Sequence, residues 1–277
     1  MAGEIEGGVG RPRVIIDYRG WAPTPARPVP GATAGGTIRV LRELDFESLD
    51  PAHIGDSAGF NYAGGLLHRS LTWYLEDPAN GTLGVVGDLA TNAGEPSHGD
   101  RVWTYHLRDG IAFEDGTPIT SRHIARGLER SFGPVGTRRL QQIRAVLDPR
   151  HRYRGPTARD PLPPGVTAPD DRTLVLATSM PVPHMPFLLA DPVFTPVPAG
   201  DPWLSTGPYR RTEYVPGVRL VLERNRTGIP TATPYGTSTP TRSCSSSTWT
   251  AGRRLSGSGR RLPPTPRPSW TPTSHRT

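Results

Sequence analysis

WTYHLRDGIAFEDGTPITSRHIARGLERSF, residues 103–132, carries the most regular pattern in the sequence. Its first residues alternate, so that Trp103, Tyr105 and Leu107 fall on one face of a predicted β-strand. The chain then turns twice at an Asp-Gly pair, a dipeptide that favours tight turns. The stretch therefore begins as a half-buried strand whose aromatic face points toward a core.

A helix is predicted directly after the second turn. The Thr120 hydroxyl can cap it by accepting a backbone N–H, since threonine is a favoured N-cap residue. Ile124, Leu128 and Phe132 follow at spacings of four and form one apolar stripe. We expect these three side chains to form a core, and not a ligand site, together with Trp103, Tyr105 and Leu107 of the strand.

The distribution of charge along the chain argues against a nucleic-acid-binding protein. The net charge is +7 and every basic residue is arginine, yet no acidic residue follows Glu223. Seven arginines lie in residues 228–277, which leaves 25 arginines to balance the 25 acidic residues of the rest. The body of the chain is thus neutral, and we expect no nucleic-acid partner.

Five acidic or histidine residues cluster around the two turns and invite an acid–base interpretation: His106, Asp109, Glu114, Asp115 and His123. Each of the two aspartates precedes glycine, where a carboxylate usually bonds its own turn, so the structural reading is favoured. Histidine spacing does not match a metal site, the single cysteine is Cys244, and Ser205 in STGPY lacks a nearby base in sequence. We expect no enzyme activity, metal or cofactor.

The two ends of the chain differ in composition from the middle. Residues 1–36 contain a Pro/Gly/Ala-rich stretch and are predicted to be an extended linker. Of residues 228–277, 40 of 50 are Thr, Ser, Pro, Arg or Gly, which predicts a disordered tail. Further strands are predicted at 37–41, 172–178 and 218–223, a helix from about Asn61 to Leu71, and a short helix within 183–190.

The motifs, taken in order, resemble those of the extracytoplasmic solute-binding proteins of ABC importers, in the peptide-binding family. The matching segments are GGTIRVL before LDP (49–51), GDLAT (87–91), the stretch 102–132, DDRTLVLAT (170–178), PVFTPVP (192–198), STGPY (205–209) and VRLVLERN (218–225). The resemblance covers residues 37–226. Family members usually carry an acidic residue in the first turn of the helix after Thr120. Arg122 and His123 stand there instead, so we expect the capping box to be lost.

The resemblance implies a mixed α/β fold, part of a two-lobed periplasmic-binding-protein-like architecture. Residues 37–67 and 198–227 would be segments of an incomplete first lobe, and residues 68–197 an inserted α/β subdomain. Because the resemblance stops abruptly, the sequence suggests a truncated or frameshifted product with a non-native tail from 228 to 277.

The resemblance also implies a function: a solute-binding component that presents peptides or related small polar solutes to membrane permease subunits of an ABC importer. It places the loop after LDP at the cleft, so Gly55, Asp56 and Ser57 are the expected ligand contacts. Incompleteness predicts weak binding or none. Location would be extracytoplasmic and membrane-associated by resemblance, although no signal peptide is visible and the chain as written would stay cytoplasmic. The alternative is an intracellular regulatory or interaction module that reuses the fold.

Overall fold

A computed structural model gives the structure of the chain and describes residues 4–5, 14–15, 37–42, 45–46, 48–54, 57–76, 83–130, 132, 138–150, 152–155, 162–198, 204–227 and 248–253. Within these residues the strands are β1 Glu4–Ile5, β2 Val14–Ile15, β3 Ile38–Arg42, β4 Thr72–Glu76, β5 Leu83–Gly87, β6 Glu95–Ser97, β7 Val102–His106, β8 Val166–Thr167, β9 Thr173–Ala177, β10 Tyr209–Val215, β11 Arg219–Arg224 and β12 Thr248–Arg253. The helices are α1 Ser57–Tyr62, α2 Ser121–Arg130, α3 Arg138–Leu147 and α4 Met185–Leu188, with 3₁₀ turns at Pro51–His53 and Pro192–Phe194 and a π-helical turn at Ala63–Leu67. The fold is mixed α/β.

The middle sheet, in the order β6-β7-β9-β8, is built on the opening sequence stretch. Trp103 pairs with Leu176 and Tyr105 with Leu174, and all four side chains are buried. Helix α2 covers this face with Ile124 and the rest of its apolar stripe. The six residues assigned to the core from the sequence are all buried there, which confirms that assignment: Trp103, Tyr105, Leu107, Ile124, Leu128 and Phe132.

A second sheet has the order β10-β11-β12-β3 and a smaller core of its own. That core consists of Phe46, Leu49, Leu67, Leu220 and Leu222. Strand β12 lies between β11, with which it is antiparallel, and β3, with which it is parallel. The prediction of disorder for 228–277 therefore differs from the structure at Thr248–Arg253. Two neighbouring strand edges offer unpaired backbone groups to this Thr- and Trp-containing segment. The other tail residues lie outside the described part.

The third sheet has the order β1-β2-β5-β4. Strand β2 pairs in parallel with β5, and β1 pairs antiparallel with β2. Residues 4–5 and 14–15 were predicted as part of an extended linker, but the structure incorporates both pairs of residues into a sheet. The remainder of 1–36 lies outside the described residues.

The helix predicted from about Asn61 to Leu71 is displaced in the structure. Helix α1 begins at Ser57, the π-helical turn continues it, and helical structure ends at Leu67. Thr72 already lies in β4, where β-branched and aromatic side chains favour a strand over a helix. The prediction was right about a helix but wrong about both of its ends.

The start of α2 also corrects a prediction. The backbone N–H of Thr120 donates to Nδ1 of His123 at 3.0 Å, so the imidazole fills the place that an acidic side chain takes in a capping box. Burial lowers the pKa of His123, Arg126 lowers it further and Asp171 opposes both, which favours the neutral ring that this bond requires. His123 thus supplies one of the two bonds of a capping box, while Oγ1 of Thr120 lies 3.2 Å from the same Nδ1 rather than accepting a backbone N–H.

The division into first-lobe segments and an inserted subdomain stays a prediction. The structure provides separate cores for the middle sheet and for the β10-β11-β12-β3 sheet. The chain leaves the region of the β10-β11-β12-β3 sheet near Leu67, enters β4, and returns to β10 after Ser205. These two passages position the candidate site.

Candidate functional site

The predicted ligand contacts are located only in part. Gly55 and Asp56 lie outside the described residues, and Ser57 is the first residue of α1, with its side chain undescribed. Their role therefore stays a prediction. Asp50 and His53 lie shortly before these residues, and they form a polar network with Arg130 of α2.

Asp50, the aspartate of the Leu-Asp-Pro turn, is the centre of this network. Its Oδ1 accepts from the Ala52 backbone N–H at 3.0 Å and so caps the 3₁₀ turn that follows. Its Oδ2 lies 2.9 Å from Nδ1 of His53 and 2.5 Å from Nη2 of Arg130, at the end of α2. The turn that leads into residues 55–57 is thereby attached to the helix of the middle sheet.

The electrostatics of the network favour an ionised Asp50. Burial acts to raise the pKa of this carboxyl, but the hydrogen bonds from Arg130 and Ala52 and the charge of Arg130 outweigh it, so the pKa lies below its usual value. A carboxylate that accepts several hydrogen bonds behaves in this way. Asp50 therefore serves as a structural anchor, since its oxygens are already used within the chain.

His68 lies beneath the same network and is only 2% exposed. Burial lowers its pKa to about 4; Asp50 opposes the shift, while Arg130 and Arg211 reinforce it. The ring is neutral at physiological pH. A neutral buried histidine can pack among the charged groups without adding a charge of its own.

The segment that ends at Leu67 and the segment that begins at Ser205 are hydrogen-bonded to each other through the carbonyl group of Leu67. The carbonyl oxygen of Leu67 accepts the backbone N–H of Thr206 at 3.0 Å, that of Gly207 at 2.8 Å and the hydroxyl of Ser205 at 2.5 Å. The Arg69 N–H donates in turn to Oγ1 of Thr206 at 2.8 Å. The STGPY motif is thus a clamp between two crossing segments, and its serine hydroxyl is engaged with the backbone rather than available as a nucleophile.

Glycine at position 207 is required by this close approach. A Cβ there would stand 2.4 Å from the carbonyl oxygen of Leu66, well inside van der Waals contact. The clamp therefore depends on the Ser-Thr-Gly sequence itself: two side-chain hydroxyls that bond across the junction and one residue without a side chain.

A buried ion pair completes the junction on the side of β5. Nε of Arg69 lies 3.1 Å from both carboxylate oxygens of Asp88, and Nη2 also bonds that carboxylate. Asp88 is 0% and Arg69 1% exposed. Asp88 belongs to the GDLAT motif, so that motif serves to neutralise and orient a buried arginine.

The acid–base candidates do not form a catalytic arrangement. Oδ1 of Asp115 accepts from the Thr117 N–H at 2.9 Å, which confirms the turn interpretation. Asp109 pairs with the exposed Arg172 instead of with its own turn, so the turn interpretation was wrong for this residue. His106 is exposed on the strand face opposite the core. Glu114 accepts from the Ser205 N–H at 3.2 Å, and burial raises its pKa. Each group thus has its own structural partner.

The residues that the structure describes contain no group of three or more His, Cys, Asp or Glu side chains placed to hold a metal ion. Nor does any described helix have the length and apolar character needed to cross a membrane.

Sequence reasoning missed the residues that organise this junction. Arg130 was assigned no role from the sequence, and His68 and Arg69 fell within the helix predicted from about Asn61 to Leu71. The available signal was the LDP turn, since an Asp before Pro commonly caps a turn. Its partner 80 residues away has no local signature.

Comparison with known proteins agrees with the sequence resemblance. A family model described as bacterial extracellular solute-binding proteins, family 5 Middle, matches residues 84–227. The periplasmic oligopeptide-binding protein OppA of Escherichia coli (strain K12) is 32% identical over 149 residues, which is 46% of this chain and 26% of that protein. The probable deoxycholate-binding periplasmic protein YgiS of the same strain is 27% identical over 200 residues, 66% of this chain and 35% of that protein.

Among solved structures, the clavulanic acid biosynthesis oligopeptide binding protein 2 matches with a TM-score of 0.69 at 32% identity. The match covers 82% of this chain and 42% of that chain. The chain thus spans between a quarter and about two fifths of the length of these relatives.

Proposed function

Because the chain belongs to the family 5 bacterial extracellular solute-binding proteins, we propose that it contributes one side of a solute-binding cleft in an ABC import system. The observation that carries this proposal is the anchoring of Asp50. The turn before residues 55–57 is fixed to α2 by Arg130, so the loop proposed to meet the ligand begins from a rigid point. Binding sites need such support, since a loop ordered in advance loses less entropy when ligand binds.

The proposed ligand is a peptide or a related small polar solute. OppA and the clavulanic acid biosynthesis protein are named for oligopeptide binding, whereas YgiS is named as a probable deoxycholate-binding protein. Their different names leave the solute class broad. Gly55, Asp56 and Ser57 remain the proposed contacts, with the carboxylate of Asp56 suited to an ammonium group.

We propose that the protein binds and releases its solute without making or breaking covalent bonds. Ser205, Asp115 and Glu114, the groups that could have formed a catalytic arrangement, are each engaged in backbone bonds that fix turns or crossings. A family of solute-binding proteins requires recognition and release, for which these structural roles suffice.

The 277 residues alone are proposed to bind peptides weakly. The matched region corresponds to 26% of OppA and 42% of the clavulanic acid biosynthesis protein, so it supplies only part of the contacts that a closed cleft would make. Immobilising a ligand costs about 4–15 kcal/mol, and a few hydrogen bonds of about 0.5–1.5 kcal/mol each offset only part of that.

Calorimetry with a pool of di- to pentapeptides tests this strength. We expect a dissociation constant weaker than ~0.1 mM, equivalent to less than about 5.5 kcal/mol of binding free energy. Micromolar binding or tighter would contradict the proposal that the chain holds only part of the site.

We also propose that the protein is extracytoplasmic and that it contacts the permease subunits of an ABC importer. Both proposals follow from its membership of the family. The intracellular regulatory alternative gains no support from the relatives, which are named as periplasmic or binding proteins. Fractionation of cells that express the full reading frame checks this point. Recovery solely in the cytosol would remove the import role.

A further inference from the structure

A cavity of about 570 Å³ opens beside the middle sheet, at the end of α2. Its lining comes from α2, from α3 and from the segment that follows α3, together with one residue of the stretch after the second 3₁₀ turn. The lining residues are Arg126, Glu129, Arg130, Phe132, Arg144, Tyr153, Arg154, Gly155 and Val197. The volume falls within the range of about 300–1,000 Å³ typical of small-molecule sites.

The charge of this lining is strongly positive. Four arginines face one glutamate, although the described body of the chain carries acids and bases in similar numbers. Arg130 has an internal partner in Asp50. Burial raises the pKa of Glu129, while a hydrogen bond from Tyr153 and the charge of Arg126 act against the shift. The lining of the cavity therefore holds more guanidinium groups than carboxylates.

Arg144 supplies a second, independent observation. Its Nε atom is buried and has no hydrogen-bond partner among the described residues. Its guanidinium carbon lies 6.0 Å from the centroid of the Phe132 ring, a cation–π arrangement. A buried donor without an acceptor is unfavourable, and an anion oxygen placed beside it would supply the missing acceptor.

The cavity also has an aromatic wall. Phe132 and Tyr153 meet edge to face, with ring centroids 5.1 Å apart, and both residues are at most 8% exposed. Such a wall favours an apolar or aromatic portion of a ligand next to the charged one.

We propose that this cavity binds a small organic anion whose phosphate or carboxylate group lies among Arg126, Arg144 and Arg154 and whose apolar part contacts Phe132 and Tyr153. Guanidinium groups recognise both kinds of oxyanion through paired N–H donors. The site is separate from the proposed peptide contacts at residues 55–57 and does not depend on them.

Titration of the purified chain with phenyl phosphate tests the proposal, with benzoate and inorganic phosphate as parallel probes. We expect phenyl phosphate to bind in the micromolar to millimolar range, and inorganic phosphate at least five-fold more weakly because it lacks the apolar part. Benzoate distinguishes the two oxyanions: tighter binding of benzoate would assign the site to a carboxylate, and tighter binding of phenyl phosphate to a phosphate.

Variants locate the binding. Arg144→Gln and Arg126→Gln should each weaken phenyl phosphate at least ten-fold, whereas Arg122→Gln, an exposed arginine on the same helix α2, should change it less than two-fold. Arg126 is itself exposed, so its variant should fold even if the Arg144 variant does not. Equal weakening by all three changes, or no probe binding below 10 mM, would overturn the proposal. If phenyl phosphate binds equally well in the presence of an excess of di- to pentapeptides, the anion site is distinct from the peptide cleft.

Discussion

Nη2 of Arg130 lies 2.5 Å from Oδ2 of Asp50, a residue 80 positions earlier in the chain. The bond joins the last residue of α2, which packs on the middle sheet, to the turn that leads into α1. Both side chains are largely shielded, at 24% and 13% exposure. An aspartate from one part of the fold is thus held by a helix that belongs to another.

Replacing Arg130 should release this turn. We expect Arg130→Met to destabilise the chain by about 1–3 kcal/mol, because the Asp50 carboxylate loses a charged donor while it remains partly buried. Hydrogen exchange should become faster at residues 48–54. Arg122→Met, an exposed change on the same helix, serves as the control and should leave both measurements unaltered; equal effects of the two changes would contradict the role assigned to Arg130.

Acidification should destabilise the chain through His68. Its pKa of about 4 in the folded chain lies below the usual 6.5, so the unfolded chain binds a proton first as pH falls. The contribution of neutral His68 to the free energy of unfolding is fully present above about pH 6.5 and is lost as the pH falls toward 4. It amounts to roughly 3 kcal/mol across that pH range. Urea unfolding at pH 7 and pH 5 measures it.

The charges around His68 are Asp50, Arg130 and Arg211, and they must be kept intact in the test. The variant His68→Gln should lose about 2 kcal/mol less stability between pH 7 and pH 5 than the unchanged chain does. The control His184→Gln, at an exposed position, should retain the full loss. Identical pH profiles for the chain and His68→Gln would show that His68 is not buried as a neutral ring.

Gly127 marks a close contact between α2 and the 3₁₀ turn near Phe194. A Cβ at this position would stand 2.1 Å from the carbonyl oxygen of Thr195. Gly127→Ala should therefore destabilise the chain by about 1–3 kcal/mol through overpacking, despite alanine's higher helix propensity of about 1 kcal/mol. Thermal unfolding measures the change.

Gly65 provides the matched control, because a Cβ there would meet nothing within 4 Å. Gly65→Ala should be neutral or stabilising by up to about 1 kcal/mol. If Gly127→Ala proved as harmless, helix α2 would have to lie farther from Thr195 than the structure places it.

The Arg69–Asp88 pair should behave as a buried ion pair. Arg69→Met leaves the Asp88 carboxylate buried without its partner and should cost about 3–5 kcal/mol. The double change Arg69→Met with Asp88→Leu should recover most of this loss, since no buried charge is then left unpaired. A double variant as unstable as the single one would indicate that the pair contributes chiefly through its other bonds.

Local patterns accounted for a large part of the fold. The alternation at Trp103 and Tyr105 and the stripe at Ile124 predicted β7, α2 and the core between them, because each depends on periodic burial within one element. Helix α3, with Ile143 buried among five charged or polar neighbours, was not predicted. Leu140, Ile143 and Leu147 are spaced as one face of a helix, so a signal was present in the sequence and was not used.

The junction could not be predicted for a different reason. Leu67 ends its helix where its carbonyl oxygen receives three donors from residues 205–207, and nothing near Leu67 in sequence indicates this. His123 replaced the expected acidic capping residue because its ring could stay neutral in a partly buried place. Both outcomes depend on contacts between distant segments or on local burial, which a sequence pattern does not encode.

Peptides are proposed to contact this chain at the loop after the Leu-Asp-Pro turn. Photo-crosslinking with a benzoylphenylalanine-containing tripeptide at millimolar concentration, followed by mass spectrometry, tests it directly even if binding is weak. We predict labelling within residues 48–62 that an unlabelled di- to pentapeptide pool suppresses. Labelling should fall at least five-fold with Asp56→Asn but not with the exposed Asp109→Asn. Labelling confined to the middle sheet, or labelling that the pool leaves unchanged, would contradict a peptide site at this loop.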